Sequence, residues 1–208
     1  MKTNRRETLR YLGVKGAPDE RTLALVERAE KEAEECVFPR FTFRLFPLGR
    51  EPLSVGGTPL EGADIAAYLK GCDEVYLIAA TLGFEAEKRI NFLMQSSPAL
   101  GVALDAVCTS VLESFLDEQC QKLQEGSQKR LKPRFSCGYG DFPLSQQRDM
   151  VRLLDTGRKI GVFLSESLML APQKSVTALV GAGERARGKS EGCSACGKKD
   201  CAFKKELK

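Results

Sequence analysis

The sequence predicts a mixed fold of helices and strands built as one compact body. Three observations lead to this prediction. Several segments place apolar residues at three- and four-residue spacing among charges, which is typical of amphipathic helices. Other segments are short apolar or aromatic runs closed by glycine and proline, which is typical of strands. A chain of 208 residues, with 42% hydrophobic and 29% charged residues, has the size and composition of a single globular domain.

Four helices and two strands are predicted in the first 126 residues. The helices span 19–35, 61–69, 85–94 and 98–126, and the strands span 40–48 and 75–80. Residues 81–84 form the turn between the second strand and the third helix. The fourth helix is the longest, and its broad apolar stripe predicts a central packing element. Ser97 ahead of Pro98 indicates its start, because proline favours the first helical position.

The second half of the chain is predicted to be less regular. The basic stretch 129–132 is expected to be a solvated connection, followed by an extended loop. A helix is predicted over 145–154, with Gly157 placed to end it. Two more strands are predicted over 162–164 and 175–180. The glycines Gly181, Gly183 and Gly188 are expected to mark the end of the body, which gives a body over 1–183 and a basic, cysteine-rich tail over 184–208.

Charge and composition exclude several classes of function. The tail carries the net charge of +4, because residues 184–208 contain eight Lys or Arg against four acidic residues. The neutral body lacks the broad basic face of a nucleic-acid-binding domain, so nucleic acid is not the expected partner. With no signal-like start and no long apolar run, we expect a cytoplasmic protein without a membrane partner. The absence of His removes the commonest general base.

The segment RFSCGYGDFPLSQQ, residues 134–147, is the candidate ligand-binding loop. Its two glycines and one proline disfavour regular structure, and loops on a rigid scaffold commonly hold ligands. A surface turn that packs Tyr139 and Phe142 onto the core would explain the same residues. From the residues alone, both interpretations stay open.

This loop resembles the Arg-x-x-x-Gly-Tyr motif of the S-adenosylmethionine-binding activation domain of cobalamin-dependent methionine synthase. Arg134, Gly138 and Tyr139 match that motif. Upstream, a strand, a Thr-Leu-Gly turn and a long helix with an acidic residue in its second half are also similar to the family.

Downstream, the agreement continues in order along the chain. The segment LSES at 164–167 is similar to the family's Thr-Glu-Ser-type segment, and it is followed by Met169, Pro172 and Ser175-Val176. The resemblance therefore covers residues 64–180. It departs from the family at LVGAGERAR, residues 179–187, where the family continues with aromatic residues.

The resemblance implies both a fold and a function. The fold would be α+β, with a curved, mainly antiparallel sheet and flanking helices. The protein would bind S-adenosylmethionine and reactivate a cobalamin methyltransferase by supporting reductive methylation of cob(II)alamin. Its partners would be cobalamin-dependent methionine synthase or another corrinoid protein, which carries the cobalamin, and an electron donor such as flavodoxin or ferredoxin.

The resemblance also assigns residues to the ligand. Arg134 would pair with the amino-acid carboxylate, Glu113 would bind the ammonium, and Tyr139 would lie near the sulfonium. Gly138 would permit close approach, and the loop residues Ser136 and Cys137 would line the site. Asp105, Thr109 and Glu113 stand four residues apart and should share one stripe of the long helix.

The tail contains Cys193, Cys196 and Cys201 at the close spacing of metal ligands. An iron-sulfur cluster, a zinc ion and three reduced thiols are the alternatives, with Cys137 one candidate for a fourth ligand. Two other functions also remain open. One is a metal-binding interaction module whose basic cysteine tail contacts RNA or an acidic protein. The other, a small-molecule methyltransferase, lacks support because no glycine-rich strand-to-helix loop is present.

Overall fold

The computed structural model describes residues 3–184. Its helices are α1 (Arg5–Tyr11), α2 (Glu20–Cys36), α3 (Ala63–Tyr68), α4 (Phe84–Ser96), α5 (Pro98–Glu125), α6 (Gln147–Leu154) and α7 (Thr156–Ile160), with a 3-10 turn at Leu144–Gln146. Its strands are β1 (Arg40–Arg50), β2 (Leu53–Val55), β3 (Thr58–Pro59), β4 (Glu74–Thr81), β5 (Arg130–Leu131), β6 (Phe163–Leu164), β7 (Leu170–Ala171) and β8 (Ser175–Gly183).

Six of these strands form one sheet in the order β3-β2-β1-β4-β8-β5. Every neighbouring pair is antiparallel. The strands β6 and β7 form a separate antiparallel hairpin. The predicted α+β class, with a mainly antiparallel sheet and flanking helices, is therefore confirmed.

The central strand β4 is buried on both faces, which explains why its sequence is a continuous apolar run. Tyr76, Ile78 and Ala80 point into one core, which they share with residues of α2, α4 and α5. Val75, Leu77 and Ala79 point into a second core, which they share with residues of α3, α6 and α7. Because side chains alternate along a strand, one eight-residue segment serves two helical layers.

The long helix α5 forms the centre of the first layer, as its stripe predicts. By length and composition it is the one helix among residues 3–184 that could cross a membrane. However, 61% of its apolar window is buried inside the protein. The core helix of a globular protein meets the same criteria, and the packing of α5 fits that explanation.

Several local expectations need correction. Gly157 does not end α6, which stops at Leu154 with Asp155 in the left-handed conformation, φ 53°. Gly157 instead lies inside α7, where an added Cβ would stand 2.9 Å from the Phe163 ring. The last predicted strand is longer than expected, because Gly181 and Gly183 belong to β8, and Gly181 leaves room for the side chain of Cys72. The 129–132 stretch contains β5, not only a connection.

Candidate functional site

The candidate loop begins at the edge of the main sheet. After β5, the chain stays beside β8, and Phe135 exchanges two backbone hydrogen bonds with Leu179, of 2.8 and 2.9 Å. Arg134 therefore directly precedes a residue that is fixed to the sheet. This arrangement places its guanidinium at a defined position next to α5.

Tyr68 fixes the backbone around Phe135 from the opposite side to α5, through a ring contact and two hydrogen bonds. The Tyr68 ring stacks on Phe135, with 4.8 Å between centroids. Its hydroxyl donates to the Pro133 carbonyl at 2.7 Å and accepts from the Gly181 amide at 2.9 Å. Burial of this hydroxyl raises the pKa of Tyr68, so it stays protonated at neutral pH and keeps both bonds.

The loop then turns tightly over residues 136–142. The Tyr139 amide donates to the Ser136 carbonyl at 3.2 Å, and the Gly138 amide donates to the Phe142 carbonyl at 2.9 Å. Gly138 has a φ of +85°, a conformation that favours glycine, and an added Cβ would meet only Leu144, at 3.8 Å. The glycine is thus required by backbone conformation rather than by close packing.

The far end of the loop is tied to α3. The Asp141 carboxylate accepts from the backbone amides of Ala63, at 2.6 Å, and Asp64, at 2.9 Å. These amides lie at the start of α3, where helical N–H groups lack intrahelical partners. The two bonds favour the charged carboxylate and hold the pKa of Asp141 below its usual value. The loop is therefore anchored at both ends.

The Arg134 guanidinium forms an ion-pair cluster with α5. Its Nη2 donates to Glu113 at 2.8 Å, and its Nη1 donates to Asp117 at 2.7 Å. The Arg134 side chain is 21% exposed, against 43% for Glu113 and 71% for Asp117. Burial favours loss of the proton from Arg134, but attraction by the two carboxylates outweighs it and raises its pKa. The cation is therefore permanent.

A second cation contacts the same stripe of α5 nearer its start. Lys174, which precedes β8, pairs with Asp105 at 2.9 Å and donates to the Thr109 hydroxyl at 2.8 Å. The predicted stripe of Asp105, Thr109 and Glu113 is thus real, but two different cations contact it. Lys174 and Arg134 both join α5 to the region of β8.

The structure brings some of the predicted site residues together. Arg134 and Glu113 are in direct contact, although 21 residues separate them in sequence. Tyr139 is 56% exposed, and its ring lies edge-on to Phe135 at 5.7 Å. Ser136 is partly buried in the turn. The sequence interpretation missed Asp117, although its position one helical turn after Glu113 was a usable signal.

Cys137 is different, because it lies in the second core rather than on the exposed side of the loop. Burial raises the pKa of its thiol to about 12. At neutral pH the thiol is therefore protonated. Within the described range, no group of three or more Cys, Asp or Glu side chains is arranged to hold a metal ion. Cys193, Cys196 and Cys201 lie outside the described residues.

Among solved structures, the chain is similar to the crystal structure of the MetH reactivation domain bound to AdoHcy, with a TM-score of 0.63 and 17% sequence identity. The match covers 88% of this chain and 77% of the other. This protein has the fold of the MetH reactivation domain. No family model and no curated protein matches the sequence.

The resemblance that the loop motif indicated is thus confirmed at the level of the fold. At 17% identity the likeness assigns no role to an individual residue such as Arg134, Glu113 or Tyr139.

Proposed function

We propose that this protein binds S-adenosylmethionine at the Arg134 loop and supports reductive reactivation of a corrinoid methyltransferase. One observation carries the proposal. In a chain with the fold of the MetH reactivation domain, Arg134 and Glu113, predicted to bind the two ends of one amino-acid group, lie 2.8 Å apart. The solved reactivation domain is bound to AdoHcy, the thioether counterpart of S-adenosylmethionine.

The charges at the loop fit the amino-acid end of this ligand. The guanidinium can form a forked pair with the ligand carboxylate, which contributes about 1.5–3 kcal/mol when it is shielded from water. Its Nε makes no hydrogen bond to the part of the chain that the structure describes, so donor capacity remains beside the Glu113 contact. Glu113, 43% exposed, is available to pair with the ligand ammonium as well.

The exposed Tyr139 fits the next part of the ligand. A sulfonium placed over an aromatic ring gains about 0.5–2 kcal/mol. The Tyr139 ring is kept in place by its contact with Phe135, which is itself bonded to β8. The loop therefore offers a cation, an anion and an aromatic face on a supported backbone.

The contribution of the protein to the reaction is orientation. S-adenosylmethionine supplies the methyl group, the partner carries the cobalamin, and a donor such as flavodoxin or ferredoxin supplies one electron. The residues named above would hold the ligand so that its methyl faces the cobalt. This orientation lowers the activation barrier for methyl transfer, because the loss of translational and rotational entropy has already occurred on binding. Such a role needs no general base, in agreement with a chain that has no His.

Calorimetric titration with S-adenosylmethionine tests the proposal. We expect the wild-type protein to bind and Arg134→Ala to weaken binding by about tenfold or more, because the forked pair is lost. Arg152→Ala is the matched control, since this α6 arginine also pairs with an aspartate, Asp149, and donates to a hydroxyl, Thr58. It should leave the affinity unchanged. Absence of heat at millimolar ligand would contradict the proposal.

Deletion of residues 184–208 separates this function from a tail-based interaction module. If the loop binds the ligand, the truncated protein should keep the affinity of the full chain. A loss of all binding after this deletion would favour the tail as the functional element. The absorbance spectrum of the anaerobically purified full chain would, independently, distinguish an iron-sulfur cluster from zinc.

A further inference from the structure

The two cation clusters on α5 differ in their charge balance. Lys174 faces one carboxylate, Asp105, and a neutral hydroxyl. Arg134 faces two carboxylates, Glu113 and Asp117. Within this three-residue cluster, one guanidinium and two carboxylates leave one negative charge in excess. One carboxylate is enough to balance the charge of Arg134. The second carboxylate is therefore not needed for charge balance within the fold.

We propose that Asp117 makes this site select the cationic methyl donor over the neutral thioether that remains after methyl transfer. The inference rests on the proposed function and adds a specificity-determining residue to it. Asp117 would act through its charge rather than by direct contact with the reacting atoms.

The covalent structure of the ligand places its sulfur close to this charge. Two methylene groups separate the sulfur from the α carbon, a distance of about 4 Å at standard bond lengths. With the ligand carboxylate on Arg134 and its ammonium on Glu113, the sulfur would lie about 8–10 Å from the Asp117 carboxylate, which is 2.7 Å from the same guanidinium.

The two ligands form a matched pair for this effect. They share the adenosine, the carboxylate and the ammonium, and differ by one methyl group and one positive charge. A carboxylate about 8 Å from that charge, in largely hydrated surroundings, favours the cation by a factor of about two to five. Asp117 is 71% exposed, so salt should screen the effect.

This selectivity would assist turnover. Loss of the methyl group removes the positive charge, and with it the attraction to the excess carboxylate. The thioether then leaves the site more easily than the donor, so fresh donor competes well against accumulated product. A cluster balanced like that of Lys174 would not distinguish the two by charge.

The experiment measures the ratio of the two dissociation constants, thioether over donor, by calorimetry in the wild type and in Asp117→Asn. We expect the ratio to fall about threefold in the variant. Effects common to both ligands, such as a shifted Arg134, cancel in the ratio. Glu125→Gln removes another carboxylate of α5, one that accepts from Gln121, and should leave the ratio unchanged. Asp117→Glu keeps the charge and should keep the ratio.

Raising the salt concentration gives a second readout. The ratio should decrease with salt in the wild type and change less in Asp117→Asn, because the screened charge is gone. An unchanged ratio in a variant that binds both ligands would overturn the role of Asp117 while leaving the proposed function intact. Failure of the wild type to bind either ligand would instead overturn the proposed function.

Discussion

The two sides of the 134–142 loop serve different purposes. Phe135, Cys137 and Phe142 face the second core, where Phe142 is almost completely buried. Arg134 and Tyr139 face outward, toward α5 and solvent respectively. Residues that stabilise the fold thus alternate with residues suited to a ligand within nine positions. We expect substitutions on the inner side to change stability and those on the outer side to change binding.

The largest effect is expected on the inner side, at Phe142. Phe142→Ala removes a fully buried ring and should lower the free energy of unfolding by about 3–5 kcal/mol, because the lost burial is joined by a cavity. Urea denaturation followed by circular dichroism measures this change. Leu144→Ala, two residues beyond Phe142 in the 3-10 turn, is the control, since Leu144 is an exposed side chain and its loss should cost far less. Equal costs at both positions would show that the two sides do not differ.

The next effect concerns Cys137 and alkaline pH. The folded-state pKa of about 12 lies above the ordinary thiol value, so the unfolded chain releases this proton first as the pH rises. The contribution of the protonated Cys137 thiol to the free energy of unfolding is therefore complete below about pH 8.5 and is lost as the pH rises toward 12. The loss should be of the order of 2 kcal/mol or more by pH 11.

Unfolding free energies at a series of pH values measure this dependence. Cys137→Ala should show a shallower decline than the wild type. Cys108 has the same raised pKa of about 12 and should give a similar flattening when replaced by Ala. If the wild type and both variants decline in parallel, the thiols do not contribute.

The helix α5 and the 134–142 loop show which features could be predicted from the sequence and which could not. The helix α5 was predictable because its apolar stripe repeats over many turns. The outward residues Arg134 and Tyr139 were predictable from the loop motif. The inward position of Cys137 was not, because in a loop without regular structure no periodicity tells which way a side chain faces.

Very short elements and contacts between distant residues also could not be predicted from the spacing of apolar residues. The strands β3 and β5 have two residues each, too few to show alternation. The seven-residue helix α1 was not predicted. Its N-cap was a usable local signal, because the Asn4 side chain accepts a hydrogen bond from the Glu7 amide. The pairing of Arg134 with Asp117 depends on how the sheet edge meets α5, which only the folded chain establishes.

A smaller effect is expected at Gly138, where the loop turns from its inner to its outer side. Gly138→Ala should cost about 1 kcal/mol, because φ is +85° while the space around the Cβ is open. Gly126→Ala is the matched control, since Gly126 ends α5 with an ordinary φ of −83°. Thermal denaturation of both variants should show a lower midpoint for Gly138→Ala only.

The smallest effect on stability is expected for Arg134→Ala. Its partners Glu113 and Asp117 are exposed enough to be rehydrated, so the loss should be about 1 kcal/mol or less. The same substitution is expected to reduce ligand affinity strongly. A stability loss as large as that of Phe142→Ala would show that Arg134 is mainly a structural residue and would remove the distinction between the two sides.

The double hydrogen bond between Phe135 and Leu179 has a consequence for how ligand binding can be detected. These amides report directly on the anchoring of Arg134 to the sheet, because its backbone cannot leave without breaking them. A ligand that binds only while these two bonds are formed would slow hydrogen–deuterium exchange at both positions by a factor of about 1 + L/Kd, where L is the free ligand concentration. Exchange at the Phe135 and Leu179 amides can therefore report ligand binding without a chemical label.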